Sequence, residues 1–117
     1  MMEFEVLKGK VITGIQRIGD LELHFKTDDG KTFMMYHRQD CCETVYIESI
    51  VGDLDDLLNS PVLMAEEVSQ EGSNGSFDSF TWTFYKLATI KGSVTIRWYG
   101  SSNGYYSESV SFVEVTE

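Results

Sequence analysis

The alternation of hydrophobic and polar residues along this chain is typical of β-strands. In the run Leu21–Thr27 apolar residues alternate with polar ones, and the Asp-Asp-Gly sequence at 28–30 then supplies a hairpin turn before Lys31–His37. Because side chains on a strand point alternately to opposite faces, this pattern predicts strands with one buried face and one exposed face. The two runs together predict a β-hairpin.

The same pattern recurs through the rest of the chain, with glycine-containing turns between the apolar runs. Residues 90–92 and the Asn103-Gly104 pair are typical hairpin turns. The polar stretch Gln70–Ser79 is poor in hydrophobic residues, which predicts an exposed loop. The additional predicted strands are Val11–Ile18, Cys42–Ile47, Val62–Ser69, Phe80–Thr89, Ser93–Tyr99 and a last strand from Tyr105 to about Val115.

One segment changes from the strand period to a helical one. Asp53 is a good N-cap, and Leu54, Leu57 and Leu58 follow at helical spacing. Pro61 ends the pattern because proline cannot continue a helix. The segment therefore predicts one short helix of about two turns, packed on the sheet through its leucines.

These elements predict an α+β, mostly β fold: an antiparallel sheet of about eight strands with one short helix. The 117 residues contain no linker or repeat, so we expect a single domain over 1–117. The sheet leaves edge strands, and pairing between subunits is a common way to cover such edges. A homo-oligomer is expected on that ground.

Composition and charge restrict the classes of partner. The chain is 42% hydrophobic, which suits a packed core, and it carries a formal net charge of -10. Nucleic acid and anionic membranes are disfavoured partners, because binding phosphates needs concentrated Lys and Arg. There is no apolar run of the ~20 residues that cross a bilayer and no secretion segment at the start, so a cytoplasmic location is expected.

The segment Tyr36–Glu43 gathers the most reactive side chains of the chain. His37, Asp40 and a cysteine are possible zinc ligands, but the usual paired spacing is missing, and we expect neither a metal nor a cofactor. The adjacent Cys41 and Cys42 are expected to be reduced, small, buried groups, because a bridge between neighbours is strained. His37 and Arg38 are kept as candidate ligand contacts.

The C-terminal third contains two adjacent strands that are rich in aromatic residues. We expect a turn at residues 90–92 to join the two strands into a hairpin. One face of this hairpin is then expected to join a core of rings and aliphatic groups, and the other face to present hydroxyls, Arg97 and Tyr99. An arginine in the middle of a sheet needs an anionic partner, either a nearby glutamate or a ligand phosphate or carboxylate. The expected core residues are Phe80, Trp82, Phe84, Val94, Ile96 and Trp98.

The turn that follows these strands reads Gly-Ser-Ser-Asn-Gly-Tyr-Tyr over residues 100–106. Hydroxyl groups, a flexible backbone and two tyrosines can hold phosphates and stack on a nucleobase. The alternative is a plain hairpin turn whose tyrosines pack across strands. Asn103 and Tyr105 therefore join Arg97 and Tyr99 as candidate ligand contacts.

The blocks YHRQDCCETVYIESIVGDLDDLLNSPVLMAEE and SFTWTFYKLATIKGSVTIRWYGSSNGYYSESV resemble a family of small phage and prophage proteins. The pattern is also similar to the phage sponge proteins that inhibit the Thoeris defence by sequestering cyclic ADP-ribose isomers or cyclic oligonucleotides. The resemblance implies that Phe80 stacks on a base and Arg97 meets phosphates. The chain departs from the pattern at Ile90, where a polar contact residue would align.

The leading hypothesis is a phage-encoded, non-enzymatic protein that sequesters a nucleotide-derived immune signal in the host cytoplasm. One alternative is an acidic protein-binding inhibitor of a host defence nuclease, of the anti-CRISPR or anti-restriction type. Another is a hydrolase of a nucleotide signal that uses His37, Asp40 or Cys41. The sequence assigns no catalytic residue to the leading hypothesis.

Overall fold

The computed structural model describes residues 3–73, 79–104 and 106–115. In these ranges the chain forms eight strands in two four-stranded antiparallel sheets, with two short 3-10 turns at Phe4–Leu7 and Leu54–Leu57. The strands are β1 (Ile12–Ile18), β2 (Glu22–Thr27), β3 (Thr32–Tyr36), β4 (Thr44–Val51), β5 (Met64–Ser73), β6 (Ser79–Thr89), β7 (Gly92–Ser102) and β8 (Ser111–Val115).

The first sheet has the strand order β1-β2-β3-β8. The predicted β2–β3 hairpin is confirmed, with Phe25 opposite Phe33 across the pair. The last strand, β8, returns to lie beside β3, where Met35 is opposite Phe112. These four residues are fully or almost fully buried, so this sheet presents a continuous apolar face to the interior.

The second sheet has the strand order β4-β7-β6-β5. Its centre is the β6–β7 hairpin, in which eleven residue pairs from Ser79↔Ser102 to Thr89↔Gly92 are in register. Strand β5 extends this hairpin on one side over ten paired residues, and β4 extends it on the other. The sheet is therefore built around two long, regular strands.

The core lies between the two sheets and is closed at one end by the 3-10 turn that begins at Phe4. The Phe4 ring packs against Tyr85 of β6 and Phe112 of β8, with ring centroids 4.7 and 5.2 Å apart respectively. Across the middle, the indole Nε1 of Trp98 donates to the sulfur of Met35 at 3.0 Å. Both sheets thus contribute large side chains to one hydrophobic core.

The mostly β, antiparallel architecture with about eight strands is confirmed, but two details differ from the prediction. The strands divide into two packed sheets, because both β2–β3 and β6–β7 need an apolar partner for their buried faces. In place of the predicted helix there is one 3-10 turn, Leu54–Leu57, before which the Asp53 carboxylate accepts from the Asp55 N–H at 3.0 Å. Asn59, with φ at 63°, turns the chain away directly after it.

Several strand boundaries also differ from the prediction, and β4 and β7 continue to Val51 and Ser102. Strand β5 continues to Ser73, because residues 70–73 of the predicted loop pair with β6; residues 74–78 of that loop lie outside the described part of the chain. The final strand begins only at Ser111, because residues 106–110 lie outside the sheet, with Glu108 close to Gly100 of β7. Among the described residues, no helix has the length and apolar character needed to cross a bilayer.

Candidate functional site

The outer face of the second sheet carries a row of aromatic side chains. Phe80, Trp82 and Phe84 lie on this face and are partly exposed, while Tyr85 and Leu87 of the same strand point into the core. The prediction that Phe80, Trp82 and Phe84 belong to the core is therefore wrong. We call this surface the aromatic face and define it by Tyr46, Phe80, Trp82, Phe84, Arg97 and Tyr99.

The error comes from the position of the β6–β7 turn. Thr89 is opposite Gly92, so the turn has two central residues, Ile90 and Lys91, and Phe84 stands opposite Arg97. A turn that also included Gly92 would shift the register by one residue. Because the side-chain period of a strand is two, that single shift moves every side chain of one strand to the other face.

Tyr99 is the centre of the ring contacts on the aromatic face. Its ring lies 4.7 Å from the Trp82 ring and 6.0 Å from the Tyr46 ring, measured between centroids. The Phe80 ring is stacked beside it at 6.5 Å with an interplanar angle of 20°. Strands β4, β6 and β7 thus bring four aromatic rings into one contiguous surface.

Arg97 lies across the same rings. Its guanidinium carbon is 5.1 Å from the Trp82 ring centroid and 5.8 Å from that of Phe84, which are cation–π distances. Its Nε is 3.5 Å from a carboxylate oxygen of Glu48 and has no hydrogen-bond partner among the described residues. The nearby glutamate expected from the sequence is present, and the rings fix the position of the cation.

Gly72 on β5 explains how the Phe80 ring lies close to the sheet. Gly72 is opposite Phe80, and a Cβ added at Gly72 would be 2.5 Å from the Phe80 Cζ. The ring therefore occupies the space that a side chain would fill at this position. A glycine in the interior of a strand often marks such a close approach.

A cleft opens where β4 begins and β7 ends, next to Tyr99. It has a volume of about 450 Å³, within the range of small-molecule sites. Hydroxyl groups dominate its walls, and the ring of Tyr99 connects it to the aromatic face. We call it the serine cleft; its lining residues are Cys42, Thr44, Ser79, Tyr99, Ser101, Ser102 and Asn103.

Behind the serine cleft, the carboxylate of Glu108 is buried among hydroxyl groups. It accepts hydrogen bonds from Ser102 at 2.5 Å, from Thr81 at 2.8 Å and from Ser79. Burial raises the pKa of Glu108, but the three hydroxyl donors outweigh it and hold the pKa below its usual value. Glu108 also lines a second cleft, of 410 Å³, together with Glu67, Phe80 and other residues.

The loop between β3 and β4 is organised around a second buried carboxylate, that of Glu43. It accepts from the backbone N–H groups of Cys41 at 2.9 Å and Asp40 at 3.0 Å, and from the amide of Gln39 at 3.2 Å. Hydrogen bonds to the charged form, led by that from the Cys41 N–H and joined by that from His37, lower the pKa of Glu43 to about 2.

Both ring nitrogens of His37 are occupied by acceptors. Nε2 is 2.8 Å from a Glu43 carboxylate oxygen, and Nδ1 is 2.7 Å from the carbonyl oxygen of Ser109. A carbonyl oxygen only accepts, so Nδ1 donates to Ser109, while Nε2 pairs with the carboxyl group of Glu43. The adjacent Arg38 is exposed, and both residues line a third cleft, of 380 Å³.

The two cysteines differ from the prediction. Cys41 and Cys42 are joined by a disulfide, and both are exposed to solvent. The expectation of reduced, buried thiols is therefore wrong. The reason for their exposure is local: the loop directs the Glu43 side chain inward, and its neighbours at the tip of the loop point outward.

The structure brings some of the predicted contact residues together. Tyr99 and Asn103 share the serine cleft, and Phe80 stacks beside Tyr99. Arg97 lies further along the aromatic face, whereas His37 and Arg38 line the neighbouring cleft. Tyr105 lies outside the described residues.

The prediction missed several further residues of these sites, among them Tyr46, Trp82, Ser101 and Glu108. A signal for Trp82 was present in the sequence, because a two-residue turn at 90–91 puts it directly opposite Tyr99. Glu108 carried no such signal, since its hydroxyl partners include Ser79, which is 29 residues away. Over the described ranges, no group of three or more His, Cys, Asp and Glu side chains is placed to hold a metal ion.

Comparison with known proteins gives a family for the chain. No curated protein and no solved structure matches it significantly. One family, described as a domain of unknown function, DUF7448, matches residues 5–112. Because this match spans nearly all of both sheets, the chain belongs to the DUF7448 family.

Proposed function

We propose that this protein binds and sequesters a nucleotide-derived signal on the aromatic face and in the serine cleft, without chemical conversion. The observation that carries the proposal is the position of Tyr99, which belongs both to the aromatic face and to the wall of the serine cleft. A planar base stacked on the rings would therefore extend its sugar and phosphates towards the hydroxyl-lined cleft.

The energetics of stacking favour such a ligand. Stacking a base on an aromatic side chain is worth about 1–3 kcal/mol. Tyr99, Trp82 and Phe80 are already packed together, so little conformational entropy is lost when a base is added. Preorganised rings of this kind can offset the unfavourable interaction between an anionic ligand and a chain of net charge -10.

Arg97 supplies positive charge where a phosphate would lie. Its guanidinium is held over Trp82 and Phe84, and its contact with Glu48 is long, at 3.5 Å from Nε. A phosphate can form shorter, bidentate hydrogen bonds with a guanidinium group than this carboxylate does. We therefore expect ligand binding to replace or supplement the Glu48 contact.

The hydrogen bonding of the two buried carboxylates and of His37 supports binding without catalysis. His37 uses both ring nitrogens, and Glu43 and Glu108 each accept several hydrogen bonds. A general base needs a free lone pair within reach of its substrate. This is why we favour sequestration over the hydrolase alternative.

Within this proposal, the resemblance to phage sponge proteins suggests the ligand class and the biological role. Cyclic ADP-ribose isomers and cyclic oligonucleotides combine bases with phosphates and ribose hydroxyls, which the rings, Arg97 and the serine cleft can each contact. We propose that the protein is phage-encoded and acts in the cytoplasm of the infected host, as a homo-oligomer, to counter a bacterial defence.

The first test is a thermal-melt screen against cyclic ADP-ribose isomers and cyclic di- and trinucleotides. A ligand at 100 times its dissociation constant stabilises a protein by about 2.7 kcal/mol, which raises the melting temperature by on the order of 10 °C in a domain of this size. Recovery of the intact ligand after heat denaturation would support sequestration, whereas recovery of a hydrolysed product would establish an enzyme.

Matched variants assign the site. Trp82→Ala and Arg97→Ala should each weaken binding at least tenfold, while Leu21→Ala should not. Leu21 is a suitable control because it is exposed and lies between β1 and β2 in the other sheet. Equal affinity in all three variants would show that the ligand binds elsewhere. A screen without any thermal shift would count against a nucleotide ligand.

A second candidate function is favoured by the composition of the same surface. Trp, Tyr and Arg are the residues enriched in protein–protein hot spots, and the aromatic face contains all three. Combined with the net charge of -10, it suits an inhibitor of a basic host nuclease. A complex with such a nuclease that weakens steeply with salt and is lost in Trp82→Ala would support it.

A further inference from the structure

The disulfide between Cys41 and Cys42 has no evident role in holding the fold together. A disulfide stabilises a protein mainly by closing a long loop in the unfolded chain, and the stabilisation decreases as the loop becomes shorter. These cysteines are adjacent, with Cα atoms 3.7 Å apart, so the bridge encloses no intervening residue. It links no separate elements of the two sheets, and a structural cross-link is therefore a poor explanation for it.

The loop that carries the two cysteines is held by other contacts. The Glu43 carboxylate accepts from the N–H groups of Asp40 and Cys41 and pairs with His37, whose ring also contacts the Ser109 carbonyl. None of these contacts involves a sulfur atom. Opening the disulfide would consequently leave the loop attached to the body of the protein, so the bond can break and reform in the folded state.

The pair is also accessible and lies at a cleft. Both cysteines are exposed, so an external thiol can reach their sulfur atoms. Cys42 forms part of the wall of the serine cleft, beside Thr44 and Ser101, which are opposite each other across β4 and β7. A change at the sulfur atoms would therefore alter the surface of the cleft.

We infer that Cys41 and Cys42 form a reversible thiol–disulfide exchange site whose redox state reshapes the wall of the serine cleft. The reactants are low-molecular-weight dithiols and glutathione disulfide. In the reductive direction, a thiolate of the dithiol attacks one Sγ, and the other Sγ leaves as a thiolate and takes up a proton. The second thiolate of the reductant then attacks the reductant's own sulfur in the mixed disulfide, so that the reductant becomes a disulfide and the first Sγ leaves as a thiolate and takes up a proton. Overall, two electrons and two protons pass to the cysteine pair.

The test uses the folded 117-residue chain and needs no nucleotide. The protein is equilibrated with dithiothreitol or with glutathione disulfide, quenched with acid and alkylated, and the mass then counts the free thiols. We expect none after glutathione disulfide and two after dithiothreitol, with an unchanged circular dichroism spectrum, and a return to none on reoxidation. The double variant Cys41→Ser/Cys42→Ser should take up no label in either state.

Three results would overturn the inference. They are two free thiols after treatment with glutathione disulfide, reduction only after denaturation, and a disulfide-linked dimer in place of the internal bridge. Amide NMR signals test the effect on the cleft: those of Thr44 and Ser101 should shift between the two redox states, while that of Phe25 in the other sheet should not. Unshifted Thr44 and Ser101 signals would refute the coupling to the cleft. Since no ligand is present, failure here is separate from failure of the proposed function.

Discussion

The packing of residues 106–110 on β7 depends on the missing side chain of Gly100. Gly100 is buried, and a Cβ built on it would lie 2.8 Å from the carbonyl oxygen of Glu108 and 2.9 Å from the Glu108 Cβ. On the remaining side, the Val45 Cγ2 would be 3.2 Å away. Because the closest atom belongs to the backbone, a side-chain rotation cannot relieve the overlap. Gly100→Ala should therefore displace the segment that carries Glu108.

The magnitude follows from two opposing effects. Overpacking a filled site costs about 1–3 kcal/mol, whereas replacing glycine by alanine gains about 0.4–1 kcal/mol by restricting the unfolded chain. We expect a net loss of about 1–2 kcal/mol for Gly100→Ala, which lowers the urea midpoint by on the order of 0.5–1 M. Chemical denaturation followed by far-UV circular dichroism measures this shift.

Gly14 on β1 provides the matched control. A Cβ added there meets only the Lys26 Cβ, at 4.0 Å, so Gly14→Ala has room. It should keep or raise the stability by up to about 1 kcal/mol, because only the unfolded-chain effect remains. A Gly100→Ala protein that is as stable as Gly14→Ala would refute the close packing of Glu108 on β7.

Three further predictions concern single side chains. Gly72→Ala should displace the Phe80 ring, because the new Cβ would lie 2.5 Å from the Phe80 Cζ. We expect the affinity for the nucleotide to fall about tenfold while the melting temperature stays unchanged. An unaltered affinity would show that Phe80 is not part of the binding site. The folded pKa of Glu43, about 2, lies below its usual 4.5, so the stability it contributes is present above pH 4.5 and is lost as the pH falls towards 2. In Glu43→Gln the melting temperature should therefore fall less steeply as the pH is lowered than it does in the wild type. An equally steep fall would show that groups other than the pair of Glu43 with His37 cause the loss of stability in acid. The Tyr85 hydroxyl is buried and has no hydrogen-bond partner among the described residues. Tyr85→Phe should therefore raise the free energy of unfolding, measured by urea denaturation, by about 1 kcal/mol. A lower free energy of unfolding would show that the hydroxyl does have a hydrogen-bond partner.

Local pattern was sufficient for strands such as β2, which bury a single face. Leu23 and Phe25 alternate with polar residues in β2, and both are fully buried in the structure. Asp53 does act as an N-cap, but the helix predicted after it ends after one 3-10 turn. The helical conformation ends at Leu58, whose backbone is extended and forms a bridge with Ile12 of β1, and helical spacing contains no information on that contact.

Long-range contacts limited what the sequence could predict about the site. Ser79, Thr81 and Ser102 surround Glu108 only because β6 and β7 are paired and the segment after β7 folds back over them. Likewise His37 meets the carbonyl of Ser109, 72 residues away in the chain. Neither contact leaves a periodic signal, because each joins a loop residue to a partner from another part of the chain.

The assignment of faces in β6 can be tested with the two tryptophans of the chain. Trp82 is partly exposed on the aromatic face, whereas Trp98 is 1% exposed in the core, so a water-soluble quencher such as acrylamide can reach only Trp82. Trp82→Phe should leave a protein whose fluorescence resists quenching, and Trp98→Phe should leave one that is readily quenched. Near-UV circular dichroism checks that both variants are folded. Resistance to quenching in both variants would mean that β6 and β7 are paired in the register shifted by one residue, which places Trp82 on the same buried face as Trp98.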